Sequence, residues 1–123
     1  MSVSYDAERA PDAGPWSAAP QEDRVCAVEA FHGASQAPHP PIERARVHAA
    51  LHVVVEDQLA KGEPPEAARA VARLVAGGMT RHAALHEVGR AASAALQAAL
   101  STGRFDAKAY AEALDALAVP PPP

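Results

Sequence analysis

Apolar residues recur at three- and four-residue intervals along most of the chain, and glycine and proline interrupt that rhythm at regular points. This is the pattern of amphipathic helices joined by short turns. A first helix is predicted over residues 20–33. Pro20 suits its first turn, Glu22 and Asp23 follow where the helix dipole favours acids, and Gly33 ends it with His32 in the last turn. A second is predicted over residues 41–60, stopped by Gly62 and the Pro64-Pro65 pair. At about 100° per residue, Val47, Leu51, Val54, Val55 and Leu59 share one arc of it, with His48 and His52 inside the arc and Glu56 at its edge.

A third helix, over residues 66–76, gathers Ala67, Val71 and Leu74 on one side and ends at Gly77-Gly78. Thr80 is an N-cap residue for a fourth, running to residue 101, whose buried stripe is His82, Leu85, His86, Gly89, Ala92, Leu96 and Leu100. Asp106 caps a short last helix packed through Tyr110, Leu114 and Leu117. No stretch alternates with the two-residue period of a strand. The expected fold is therefore all-α, a small up-and-down bundle of four to five helices. The helical domain spans residues 16–118, between a flexible segment at 1–15 and a proline tail at 119–123.

Composition narrows the class. With 123 residues, a chain rich in alanine and only 4% aromatic supports one thin core of closely packed helices. A formal charge of −4 and no run of Lys or Arg argue against a nucleic-acid or anionic-membrane surface. Cys26 is the only cysteine, so neither an internal disulfide nor a thiolate zinc site is available; it reads as a small buried apolar residue. Residues 1–15 lack the cationic start and apolar centre of a signal peptide, and no later run is long and apolar enough to span a membrane. The cytoplasm is the expected compartment, with a protein partner or a homo-oligomer left open.

The histidines carry the chemistry. Side chains four apart on a helix lie about 5–6 Å apart at Cβ, close enough for two imidazoles to take one metal ion. His48/His52 and His82/His86 both have this spacing. Short connections favour an up-and-down arrangement, which sets the second and fourth helices parallel and brings both pairs level at one end of the bundle. The end of the first helix brings His32 to the same place, and Glu56 lies one turn beyond His52. The expected site is a mono- or dinuclear transition-metal centre of His48, His52, His82 and His86, with His32 and Glu56 as further ligands. Imidazole-rich sites suit zinc, iron, copper or nickel better than magnesium or calcium. An enzymatic role does not follow from ligation.

Other readings compete. The histidines also fit a metal-free polar layer hydrogen-bonded to Glu56, Gln58 or Ser93 inside a helical protein-interaction module. His39, among prolines, reads as solvated, and Glu87, turned about 100° from His86, as a solvated acid. A helix-turn-helix reading would use the Gly78-Met79-Thr80 turn with Arg81 at the head of a recognition helix. The acidic charge and the place of His86 on the apolar stripe oppose it.

The segments His48-x3-His52-x3-Glu56-x-Gln58-Leu59 and Arg81-His82-Ala83-Ala84-Leu85-His86, with Pro41, Gly62, Gly89 and an upstream Trp16, Asp23-Arg24, Val28 and Phe31-His32, resemble a family of small bacterial proteins of unassigned function. The likeness covers residues 16–100. Ile42, Phe31 and Asp57 stand where that family is expected to carry asparagine, tyrosine and asparagine. The resemblance implies that the histidines and Glu56 belong to one motif, and it implies no activity.

Overall fold

The computed structural model describes residues 3–35, 39 and 41–120. Among these residues six helices follow one another and no strand occurs: α1 (Ala13–Ala18), α2 (Gln21–Ala34), α3 (Ala45–Lys61), α4 (Pro65–Ala76), α5 (Arg81–Thr102) and α6 (Ala107–Ala116). Their ends are set by the residues that punctuate the sequence. Gly62 and Gly103 close α3 and α5 in the left-handed conformation, with φ of 69° and 77°. The Thr80 hydroxyl accepts from the Ala83 amide at 3.1 Å, and the Asp106 carboxylate accepts from the Ala109 amide at 3.0 Å. Each satisfies an amide that the first turn of a helix leaves without a partner.

Helix α3 is the centre of the bundle, packed against both α2 and α5, while α4 and α6 close the far side against α5. Being covered from two sides, α3 buries a wider and rotated face. Ala49, Val53 and Val55 are core residues there, Glu56 is only 1% exposed, and Val47, in the first turn, is 60% exposed. The places expected for Val47 on the buried arc and Glu56 at its edge are therefore both corrected. The stripe on α5 needs a similar correction. It holds from His82 to Ala92, but Leu96 and Leu100 are 47% and 86% exposed. On α2 the buried face is Val25, Ala27 and Val28, and Cys26, expected to be a small buried residue, is turned away from that face and exposed.

The N-terminal segment departs furthest from expectation. Tyr5 and Ala7 are 9% and 0% exposed, which contradicts a flexible segment over residues 1–15 at those positions. Helix α1, which the pattern does not predict, is too short to show a period. It is fixed by Trp16, whose ring lies 5.6 Å from that of Tyr5 and whose Nε1–H donates to Asp57 at 3.0 Å. Arg24 donates to the same Asp57 oxygen at 2.7 Å, so one carboxylate of α3 anchors both α1 and α2. Of the connection expected over residues 34–40, positions 36–38 and 40 lie outside the described residues, as do 121–123 of the proline tail. Val119 packs on Gly77, where a Cβ would meet its Cγ2 at 2.5 Å. Among the described residues no helix is long and apolar enough to cross a membrane.

Candidate metal centre

Helices α2, α3 and α5 and the connection after α2 bring all six histidines together, though not in the level register expected of them. His52 touches both His82 and His86 and His48 touches His86, but His48 and His82 make no ring contact among the described residues, and Arg81 at the start of α5 reaches Glu56, one turn beyond His52. One ligand atom from each of His32, His39, His48, His82 and His86 lies within 4.8 Å of all the others. The His32 and His48 Nε2 atoms are 3.2 Å apart, as are those of His39 and His86. His52 sits against this group, 4% exposed, and its Nε2 is buried with no hydrogen-bond partner. His82 Nε2 is in the same state.

The arrangement of the six rings is specific. Their centroids lie 4.4–5.2 Å apart in every pairing but three. The exceptions are His32 with His86, His39 with His52, and His48 with His82, pairs with no ring contact among the described residues. Six points in which each has a single non-neighbour are the corners of an octahedron. The scale fits for the five whose donor atoms lie within 4.8 Å of one another, and His52 completes the octahedron by the position of its ring, its donor atom standing farther out. An imidazole bonded at about 2.0–2.1 Å through one nitrogen places its ring centre a little over 3 Å from the ion, so neighbouring ring centres fall about 4.5 Å apart and neighbouring donor atoms about 3 Å apart.

Hydrogen bonds fix the proton positions that ligation requires. His32 Nδ1 lies 2.9 Å from the Val28 carbonyl, which can only accept, so Nδ1 carries the proton and Nε2 presents its lone pair to the cluster. His52 is set by a longer chain. The Tyr5 hydroxyl donates its one proton to Glu56 Oε2 at 2.6 Å, so its 3.2 Å contact with His52 Nδ1 requires the imidazole to donate. The His52 lone pair is then on Nε2, the buried atom without a partner. Phe31 and Tyr5 enclose this side through edge contacts of 5.5 Å with His82 and 5.9 Å with His52.

Glu56 takes a different part from the one expected of it. Its two oxygens accept from Arg81 Nη2 and Nη1, both at 2.8 Å, and Oε2 also accepts from Tyr5. With both oxygens committed, Glu56 is not in the histidine group, and its expected role as a ligand is corrected to one of orienting His52 through Tyr5. His39 is corrected in the opposite sense, since it joins the cluster instead of being solvated. Arg81 and Tyr5 were not among the expected site residues. Arg81 precedes His82 and so could have been suspected from its place in the motif, whereas nothing around Tyr5 marks it. Gln58, considered as a partner of the histidines, instead accepts from the Tyr110 hydroxyl at 2.7 Å. No family model, curated protein or solved structure matches the chain.

Burial and mutual repulsion favour the neutral imidazoles of His32, His48, His52, His82 and His86. Burial foremost, then the neighbouring histidines, lower His48 and His82 to about 4, His86 to about 3 and His52 to about 2, and lower His32 as well. Neutral imidazole is the metal-binding form. The unfolded chain takes up these protons near the ordinary histidine value of about 6.5 and the folded chain only well below it, so stability rises with pH across that interval. The metal-free protein is accordingly expected to hold its full melting temperature above pH 7 and to lose it progressively from about pH 6.5 toward pH 4. A thermal melt series in chelator measures this, and a flat profile across that window would contradict the neutral, crowded cluster.

Tyr5→Phe tests the orienting chain separately. Removing the hydroxyl frees the His52 ring and its tautomer while leaving every candidate nitrogen in place. Metal affinity is expected to fall about 10–100-fold, the usual effect of losing a group that orients a ligand. Competition against a chromogenic chelator reads this, and unchanged affinity would remove Tyr5 from the site.

Proposed function

We propose that the protein binds one first-row transition-metal ion through the imidazoles of His32, His39, His48, His52, His82 and His86, with Tyr5, Glu56 and Arg81 holding the surrounding groups in place. The observation that carries this reading is the octahedral arrangement of the six rings. It is supported by the two buried Nε2 atoms of His52 and His82 that have no other partner. A polar layer without metal would leave those atoms unsatisfied, each at a cost of about 1–3 kcal/mol.

The donor set bears on the choice of metal and on the chemistry. Six nitrogen donors favour an ion that accepts octahedral coordination, such as iron(II), cobalt(II) or nickel(II). Zinc is usually four-coordinate in protein sites and copper(II) tetragonal. An ion with all six positions filled has no vacancy for water or substrate, so the site is suited to holding a metal rather than to metal-assisted hydrolysis. One ion with six imidazoles replaces the broader expectation of a mono- or dinuclear site that includes Glu56. A role as a metal carrier, store or sensor follows from tight binding without an open position, and the expected cytoplasmic setting and family kinship belong to the same reading.

Titration of chelator-stripped protein with cobalt(II) tests it. The expected result is an endpoint at one equivalent with the weak visible bands of six-coordinate cobalt. Intense tetrahedral bands, or no endpoint, would overturn the proposal.

A further inference from the structure

A divalent ion held by six neutral imidazoles keeps its whole charge, because no ligand in the set is anionic. Glu56, the deepest carboxylate nearby, is already neutralised by Arg81. The exposed carboxylates of Asp6 and Glu8 act on one side only: Glu8 accepts from the His82 amide at 3.2 Å, and Asp6 bears electrostatically on the same residue. His82 belongs with His32 and His39 to one triangular face of the octahedron. The opposite face is His48, His52 and His86. That face borders a cavity of about 250 Å³ between α3 and α5.

Gly89 lets α5 approach α3 closely beside this cavity, since a Cβ there would meet Leu51 Cδ2 at 3.3 Å. Leu51 and Val55 make its wall apolar, and Arg90 and Ser93 also line it. Among the described residues Arg90 pairs with one carboxylate, Glu87, through an exposed contact of 3.4 Å that solvent weakens. The Nε2 atoms of His48 and His86 face the cluster, which leaves Nδ1 as the outward edge of both rings. With Nε2 on a metal, Nδ1 carries the proton and becomes a stronger donor.

Resting on the metal reading above, we infer that this cavity binds a small organic anion, a short-chain carboxylate, as a counter-charge outside the metal's own coordination. The carboxylate lies toward the His48–His52–His86 face and Arg90, and the short chain lies on Leu51 and Val55. A volume of this size admits roughly eight non-hydrogen atoms, judged by the space a water molecule takes in the liquid. No bond to the metal is made or broken. Binding of anion and metal is reciprocal, each strengthening the other by the same factor.

The test is calorimetric titration of butyrate, with butanol as its uncharged counterpart, into nickel-loaded and metal-free full-length protein, with nickel measured in the same samples. Butyrate is expected to bind the loaded protein at least tenfold more tightly than the metal-free protein, and butanol to bind neither measurably. Ser93→Leu, which narrows the cavity at a half-buried position away from the ligands, is expected to weaken butyrate binding several-fold while retaining nickel. The surface change Arg90→Gln, which leaves the packing intact, is expected to weaken butyrate several-fold. Samples that carry one equivalent of nickel yet bind butyrate no better than metal-free protein would overturn the inference while leaving the metal site standing. So would a change in nickel's coordination on adding butyrate, because the anion would then be a ligand. Samples that hold no nickel would remove the charge on which both readings depend.

Discussion

Alanine at both His52 and His86 is expected to lower metal affinity by about four orders of magnitude, because structural metal sites of four ligands contribute about 10–16 kcal/mol, or roughly 3 kcal/mol per ligand. The two residues come from different helices and are neighbours in the octahedron, with ring centroids 5.2 Å apart. Their loss leaves His32, His39, His48 and His82, too few donors to satisfy a six-coordinate ion. Elemental analysis after dialysis against a competing chelator reads the effect. Metal content, not melting temperature, separates this account from a polar layer. His52→Ala loses the Nδ1 contact with Tyr5 and leaves a cavity at a 4% exposed position, so the metal-free double variant is expected to melt below the parent on either reading. A polar layer without metal would show that loss of stability with no metal in the parent to lose.

Glu56→Gln is expected to have the largest effect on the fold. The carboxylate is 1% exposed and the Arg81 side chain 14%, and the pair is bonded through both oxygens. Removing one charge of such a pair leaves the other buried without compensation, at a cost on the order of 3–5 kcal/mol. For a domain of this size that is a drop of roughly 10–20 °C in melting temperature, measured on metal-free protein. Arg81 also donates to the Ala7 and Arg9 carbonyls, so the N-terminal segment is expected to become protease-sensitive in the variant. The outcome also decides how Glu56 acts. As an orienting group, its loss weakens metal binding but leaves one equivalent in the folded protein at saturating metal. As a ligand, its loss would change the number or identity of the donors.

Helical spacing made much of this legible in the sequence. The four-residue interval in each of the pairs His48/His52 and His82/His86 places both imidazoles on one face, and the end of the first helix just after His32 points that residue to the same group. The register of α3 on α5 was not legible, because short connections fix neither the crossing nor the level at which two helices meet, and His48 meets His86 rather than His82. His39 was not legible because it belongs to no helix, and its place depends on the path of a proline-rich connection that has no period. Tyr5 was hidden for a related reason. Its order comes from contacts with residues distant in the chain, among them Trp16, Phe31, His52 and Glu56, and a segment held by such contacts looks the same in sequence as a free one. Glu56 was placed on the correct helix but given the wrong partner. A carboxylate one turn from a histidine pair satisfies the spacing of a ligand and of an ion-pair partner equally well, and only the approach of Arg81 from the start of α5 distinguishes them. Leu96 and Leu100 failed because a periodic stripe records which face of a helix is apolar without recording where the neighbouring helix stops.

The most direct test of the six-imidazole centre is X-ray absorption at the nickel or iron(II) edge of the loaded protein. The account predicts a single first shell of six nitrogen neighbours with the outer-shell scattering of histidine rings. Four nitrogens at the shorter zinc-like distance, or a shell that includes carboxylate oxygen, would contradict it.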